Sequence, residues 1–205
     1  ALEVVRKHNI TDIIYNSMWV SEIPYHSAVQ VQQNWAHSND VNLLAAGANN
    51  PLVGSTGTGI YAGRKGALVA EMSGNDMTKL YTATVYKKKN FPQNDGIEDE
   101  HKIYRNDENI AKLDLRQDEM IGFEIEFLSD SDGNHAAQSQ FCKNELCCNI
   151  KINNKKKKSS TMLHYQYAFA FYHGVRSFEY ADGGVVTCSI IACTNKTRNS
   201  CGIRK

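Results

Sequence analysis

The sequence predicts an α+β protein in two parts: an α/β segment over residues 1–86 and a disulfide-bearing, β-rich domain over residues 110–205, joined by a polar linker at 87–109. Three observations predict it. Helix-like and strand-like patterns alternate through the first 86 residues. From Lys87 the composition turns polar, with Pro92, Gly96 and a mixture of Asp, Glu and Asn. All six cysteines fall after residue 140.

Taken in order, Ala1–His8 has the pattern of an amphipathic helix with no capping residue before it, so the sequence reads as entering mid-helix and mid-domain. Ile10–Tyr15 is a short apolar run suited to a buried strand. Ser27 is placed to cap a helix running to Ser38, with Ala28, Val31, Gln32 and Trp35 along one side. Val41–Gly47 reads as a second buried strand. Thr58–Tyr61 and Ala67–Met72 flank Arg64-Lys65-Gly66 as a hairpin. Lys79–Tyr86 alternates and reads as a further strand. Beyond the linker the pattern is β throughout: Met120–Leu128 alternates, Met162–Tyr172 is rich in aromatics, and Gly184–Cys193 is β-branched.

Cys142, Cys147, Cys148, Cys188, Cys193 and Cys201 include two C-x4-C spacings. An even number packed into one third of the chain points to disulfides, with the connectivity open. A four-thiolate zinc site is the rival, but two thiols would be left over. The sequons Asn9-Ile10-Thr11 and Asn195-Lys196-Thr197 fit the same reading, a secreted glycoprotein.

The net charge of +1 supplies no long-range field for nucleic acid or an anionic membrane. The Lys155–Lys158 run reads as a solvated loop between strands. No window approaches the ~20 apolar residues of a membrane span.

Several motifs lack the context their chemistry needs. Gly57-Thr58-Gly59-Ile60-Tyr61-Ala62 matches G-x-G-x-x-A with Asp76 downstream, yet a dinucleotide site requires that motif to open a helix directly after a strand. Here Gly63-Arg64-Lys65-Gly66 follows, so the glycines read as a strand entry. The α/β part has no cysteine and no G-x-S-x-G elbow to hold a nucleophile. The seven histidines show no metal-binding spacing, His26 reads as a half-buried or surface residue, and no cofactor is called for. Glu124 and Glu126 share one face of a strand and read as solvent-facing charges.

Thr11-Asp12-Ile13-Ile14-Tyr15-Asn16-Ser17-Met18-Trp19-Val20-Ser21-Glu22-Ile23-Pro24 resembles a stretch of the vanin/biotinidase family, a branch of the nitrilase superfamily. The resemblance continues through Ser27-Ala28-Val29, Trp35-Ala36, Val41–Ala45 and Gly57–Ala62. It returns at Cys142-Lys143-Asn144-Glu145-Leu146-Cys147-Cys148 and around Ala168, Phe169 and Gly174. It implies that residues 1–86 are the C-terminal part of a nitrilase-like αββα sandwich. It further implies hydrolysis of a linear amide, of the pantetheine or biotin type, through a Cys nucleophile, a Glu base and a Lys that stabilises the oxyanion.

In that family all three catalytic residues lie upstream of the stretch that matches Ala1, so no catalytic residue carries over to this chain. What carries over is one wall of the substrate pocket: Ser17, Met18 and Trp19, in the loop after the first strand. Trp19 matches the family tryptophan and Ser17 its threonine, whereas Asn16 replaces the usual proline and Met18 the usual alanine. Those departures leave room for a secreted binding or structural protein that keeps the fold without the chemistry. The physics points the same way as the resemblance: 86 residues cannot cover both faces of an α/β sheet, so the expected partner is an N-terminal half of the same protein, or a chain supplying it. The resemblance adds a small-molecule amide as a further partner.

Overall fold

The helix–strand alternation of the first half resolves into one mixed sheet with a helix against one face. The computed structural model describes residues 2–87, 103–106, 110–128, 135–154, 165–178 and 181–203. It divides into two units, residues 1–116 and 117–205. The Lys155–Lys158 run, most of the linker and the start of the Met162–Tyr172 pattern lie outside the described residues.

In the first unit α1 (Leu2–His8) leads into β1 (Asp12–Ser17), followed by the short β2 (Glu22–Ile23), α2 (Ala28–Asn39), β3 (Asn42–Gly47), β4 (Thr58–Ala62), β5 (Ala67–Met72) and β6 (Ile103–Asn106). The sheet order is β1-β3-β4-β5-β6. β1 and β3 are parallel, with α2 in the connection between them, while β3–β4 and β4–β5 are antiparallel and β5–β6 is parallel. Helix α2 starts where the sequence places it: the Ser27 N–H donates to Gln30 Oε1 at 3.3 Å, and buried Ser21 Oγ accepts from the Ala28 N–H at 3.1 Å. These bonds satisfy donors that a helix start leaves open.

Two register rows cross the sheet, one on each face. Ile13, Leu43, Tyr61 and Ala67 form the row that meets α2, where Ala36 joins them in the core. Ile14, Leu44, Ile60 and Val69 form the row on the opposite face. Gln32 ties helix to sheet, accepting from the Tyr61 hydroxyl at 2.9 Å and donating to Gly57 O at 3.3 Å.

The Gly57–Ala62 motif opens β4 and no helix, as its context implied. Gly57 has φ 121°, and a Cβ there would lie 2.5 Å from Ala28 Cβ. That glycine therefore lets the first turn of α2 reach the sheet.

One reading of this half needs correction. Lys79–Tyr86 forms no strand. Its side chains still alternate, Tyr81, Ala83 and Val85 half-buried and their neighbours exposed, but a strand needs a ladder partner and no described residue supplies one. Its far end is held where Asn42 Nδ2 donates to Tyr86 O at 3.0 Å. β6 lies within the stretch 87–109, and the first compact unit includes it. Four residues, Ile-Tyr-Arg-Asn, are too few to show a period.

After β7 (Arg116–Gln117), at the boundary of the units, the second unit consists of β8 (Glu124–Phe127), β9 (His135–Lys143), β10 (Leu146–Asn154), β11 (Gln166–Phe178) and β12 (Ala181–Cys193). β12-β11-β8 is an antiparallel sheet, and β9–β10 is a separate hairpin. The hairpin turns at Asn144 and Glu145, both in the left-handed region at φ 49° and 66°, as a two-residue turn with the strands' own twist demands. The aromatic run of β11 is buried at Phe169 and Phe171, and Phe141 of the hairpin stacks on Phe171 with ring centroids 6.2 Å apart. Met120–Leu128 is a strand only from Glu124, because Gly122 turns the chain at φ 85°. Glu124 and Glu126 are exposed on one side of β8, as expected.

All six cysteines are paired, Cys142–Cys147, Cys148–Cys188 and Cys193–Cys201, which decides between disulfides and zinc. Only the first C-x4-C closes on itself. Cys188 and Cys193 lie on β12, where five residues of extended chain span about 17 Å, far beyond disulfide reach. The hairpin is thus stapled across its own turn, to β12 through Cys148, and β12 to the following turn through Cys201.

Candidate functional site

Strands β1 and β3 run parallel, and β5 runs in their direction, so all three bring their carboxyl ends to one edge of the sheet. In open α/β sheets this is the edge where ligands bind, because the loops there are free to diverge. A cavity of about 350 Å³ opens at this edge, walled by Ala46–Asn49 at and beyond the end of β3, Thr56–Thr58 at the entry to β4, and Glu71 and Ser73 at the end of β5. Its wall is held by polar cross-links. Thr56 Oγ1 donates to Asn49 Oδ1 at 2.9 Å and accepts from the Ser73 N–H at 2.9 Å, while Asn49 Nδ2 donates to Asn75 O at 2.6 Å.

Glu71 is the buried carboxylate of this wall, 8% exposed although it belongs to the apolar strand Ala67–Met72. Lys79 Nζ lies 3.6 Å from Glu71 Oε2 and 4.7 Å from the centroid of the Tyr81 ring. Burial, and then a hydrogen bond to Glu71, raise the Tyr81 pKa above the ordinary phenol value, so at neutral pH the hydroxyl keeps its proton and donates it to the carboxylate. Sequence reasoning missed this cluster. The available signal was a single carboxylate inside a run that otherwise reads Ala-Leu-Val-Ala-Met.

The three residues expected to line a pocket are consecutive but go to different places. Ser17 ends β1 opposite Gly47, at the cavity edge of the sheet. Its Oγ is buried and makes no hydrogen bond among the described residues. Met18 is exposed. Trp19 lines an apolar groove of about 540 Å³ with Val4, Ile13, Tyr15, Val31 and Trp35, and its indole N–H donates to His26 O at 2.8 Å. Alternation along an extended chain sets Met18 apart from Ser17 and Trp19, and the bond to His26 O holds the Trp19 indole in the groove. His26 is half-buried, with Nδ1 3.8 Å from Glu22 Oε2 and its ring edge-on to Tyr25.

No group of three potential metal ligands gathers among the described residues, and no described helix is long and apolar enough to cross a membrane. The sequon residues Asn9 and Asn195 are both exposed, and Thr197 Oγ1 donates to Asn195 Oδ1 at 2.6 Å.

The second unit carries the class of the protein. Residues 114–205 match the family model described as the Vanin C-terminal domain. Vanin-like protein 1 of Drosophila melanogaster is 30% identical over 210 residues, covering 98% of this chain and 38% of that protein. Pantetheinase of Mus musculus is 24% identical over 206 residues, with 98% and 38% covered. Biotinidase of Homo sapiens is 31% identical over 61 residues, covering 30% of this chain and 11% of that one. The chain belongs to the vanin/biotinidase family, and it spans 38% of the length of the first of these relatives.

Proposed function

We propose that this chain is the C-terminal part of a secreted amide hydrolase of the pantetheinase or biotinidase kind. Residues 1–86 supply part of a nitrilase-like αββα sandwich, and the disulfide-stapled second unit is its base domain. The supporting observation is the apolar row on the face opposite α2. Along it exposure climbs from 0% at Val69 and 8% at Ile60 to 38% at Leu44 and 78% at Ile14. An isoleucine and a leucine bare to water on a sheet face mark a surface that another layer covers. The occupant is the N-terminal part of the same protein, which the relatives' greater length provides room for and which would bring the Cys, Glu and Lys of the reaction. The cysteine thiolate would attack the amide carbonyl, the amine would leave with a proton from the acid–base residue, and water would release the acid from the thioester.

Ser17 and its loop then face the reacting centre, and Asn9 and Asn195 carry glycans in a secretory compartment where the three disulfides persist. The test compares the full-length protein with residues 1–205 alone, using a pantetheine amide and a biotin amide. Turnover by the full-length protein and none by the isolated segment supports the proposal. Turnover by the segment alone sinks it, and an inactive full-length protein assigns the fold to a non-catalytic binding role.

A further inference from the structure

The cavity at the carboxyl edge of the sheet holds an arrangement that neither the fold nor the amide chemistry requires. A carboxylate is costly to bury and is kept in an apolar strand only when something charged or hydrogen-bonding compensates it. The Tyr81 hydroxyl donates to the Glu71 carboxylate, whose Oε2 makes no hydrogen bond among the described residues. The Lys79 ammonium, at 3.6 Å, is at ion-pair rather than hydrogen-bond distance and remains 37% exposed. That ammonium is also held against the Tyr81 ring at 4.7 Å.

A carboxylate beside an aromatic face is a general recognition chemistry for ammonium groups, combining Coulomb attraction with the quadrupole of the ring. Lys79 shows that the frame accepts a primary ammonium, on a four-carbon stem that can swing away. Space for another adjoins it: the cavity of about 350 Å³ is lined by Glu71, Lys79, Tyr81 and also Asp76, so that with Lys79 displaced only carboxylates remain charged in the wall. The hydroxyls of Ser73, Thr58 and Thr78 complete a polar lining.

We propose that this cavity is a binding site for the ammonium end of a small primary amine, with Glu71 as the anchoring carboxylate, Tyr81 as the aromatic wall and Lys79 as an internal ammonium that the ligand displaces. The ligand class deepens the hydrolase reading and rests on it to that extent, since hydrolysis of an amide releases an amine. The site's existence is tested by binding alone, so its failure leaves the hydrolase reading standing.

The experiment is calorimetric titration of the full-length protein with n-butylammonium chloride, and with n-butanol as the uncharged isostere. Lys79→Ala removes the internal competitor and should tighten n-butylammonium by about fivefold, the scale of one partly exposed ion pair, while n-butanol is unchanged. Adding Glu71→Gln to Lys79→Ala should abolish that gain. An affinity for n-butylammonium unchanged by Lys79→Ala, or an equal gain for n-butanol, overturns the proposal. So does a collapse of the melting temperature in Lys79→Ala, which would make Lys79 a structural clamp rather than a displaceable group.

Discussion

Replacing both cysteines of the Cys148–Cys188 bridge by alanine should destabilise the second unit roughly twice as much as replacing those of Cys142–Cys147. The two bridges close chain segments of 40 and 5 residues. Loop-closure entropy at these lengths corresponds to about 4 kcal/mol for the longer and about 2 kcal/mol for the shorter. The difference, about 1.8 kcal/mol, depends only on the logarithm of the length ratio and is the firmer quantity. Packing acts in the same direction, because Cys148 is buried whereas Cys142 and Cys147 are exposed at the hairpin turn. The assay is hydrogen exchange of the β11 amides, whose slowest members open only when the unit unfolds. A 1.8 kcal/mol difference appears as about a twentyfold difference in protection between the two double mutants. Equal protection, or a larger loss from the Cys142–Cys147 pair, would refute the reasoning and place the hairpin's contribution in its turn.

Gly57→Ala should cost about 3 kcal/mol or more, because it combines a φ of 121° with a Cβ 2.5 Å from Ala28 Cβ; thermal unfolding of the full-length protein checks it. Burial raises the Tyr61 pKa above the ordinary phenol value, and its sign fixes a pH window. The stabilisation is fully present below the unfolded-state pKa of about 10 and is lost above it at about 1.4 kcal/mol per pH unit. Urea midpoints between pH 8 and 11 should therefore fall less steeply in Tyr61→Phe than in the wild type. The extended stretch Leu80–Tyr86 should exchange its amides at nearly unprotected rates in residues 1–205 alone and be protected in the full-length protein; equal rates in both would show that no partner strand joins it.

The elements legible in the sequence were those whose partners are local. Helix α2 announced itself through Ser27, and the β4–β5 hairpin through its turn, because both are closed by contacts within a few residues. Lys79–Tyr86 carried an equally clear alternation, yet alternation reports side-chain environment and says nothing of whether a neighbouring strand exists. The disulfide framework was legible as a class but not as pairs, since the match of Cys148 with Cys188 is fixed by how the hairpin meets β12, across 40 residues. Glu71 escaped because burial is a property of the folded sheet; in the sequence it is one acidic residue in an apolar run. The groove that Trp19 lines was not legible, since the hydrogen bond to His26 O that holds its indole is made only in the folded loop.

The same edge geometry links the incomplete face to the candidate site. Exposure along the outer row rises strand by strand toward β1, so the uncovered surface is greatest at β1 and β3. These are also the strands whose carboxyl ends carry Ser17 and the Ala46–Asn49 wall of the cavity. A layer that buries Ile14 and Leu44 must pass beside those strand ends, and groups it carries at that edge would meet Ser17. Covering the face and completing the site are then one event, which predicts that they fail together. Ile14→Asp, a substitution outside the cavity lining, should abolish turnover in the full-length protein by preventing the layer from seating. It should leave the second unit's disulfides and the exchange protection of β11 unchanged. If Ile14→Asp retains wild-type turnover, the outer row is solvent-facing in the working protein, and the site must be completed from another direction.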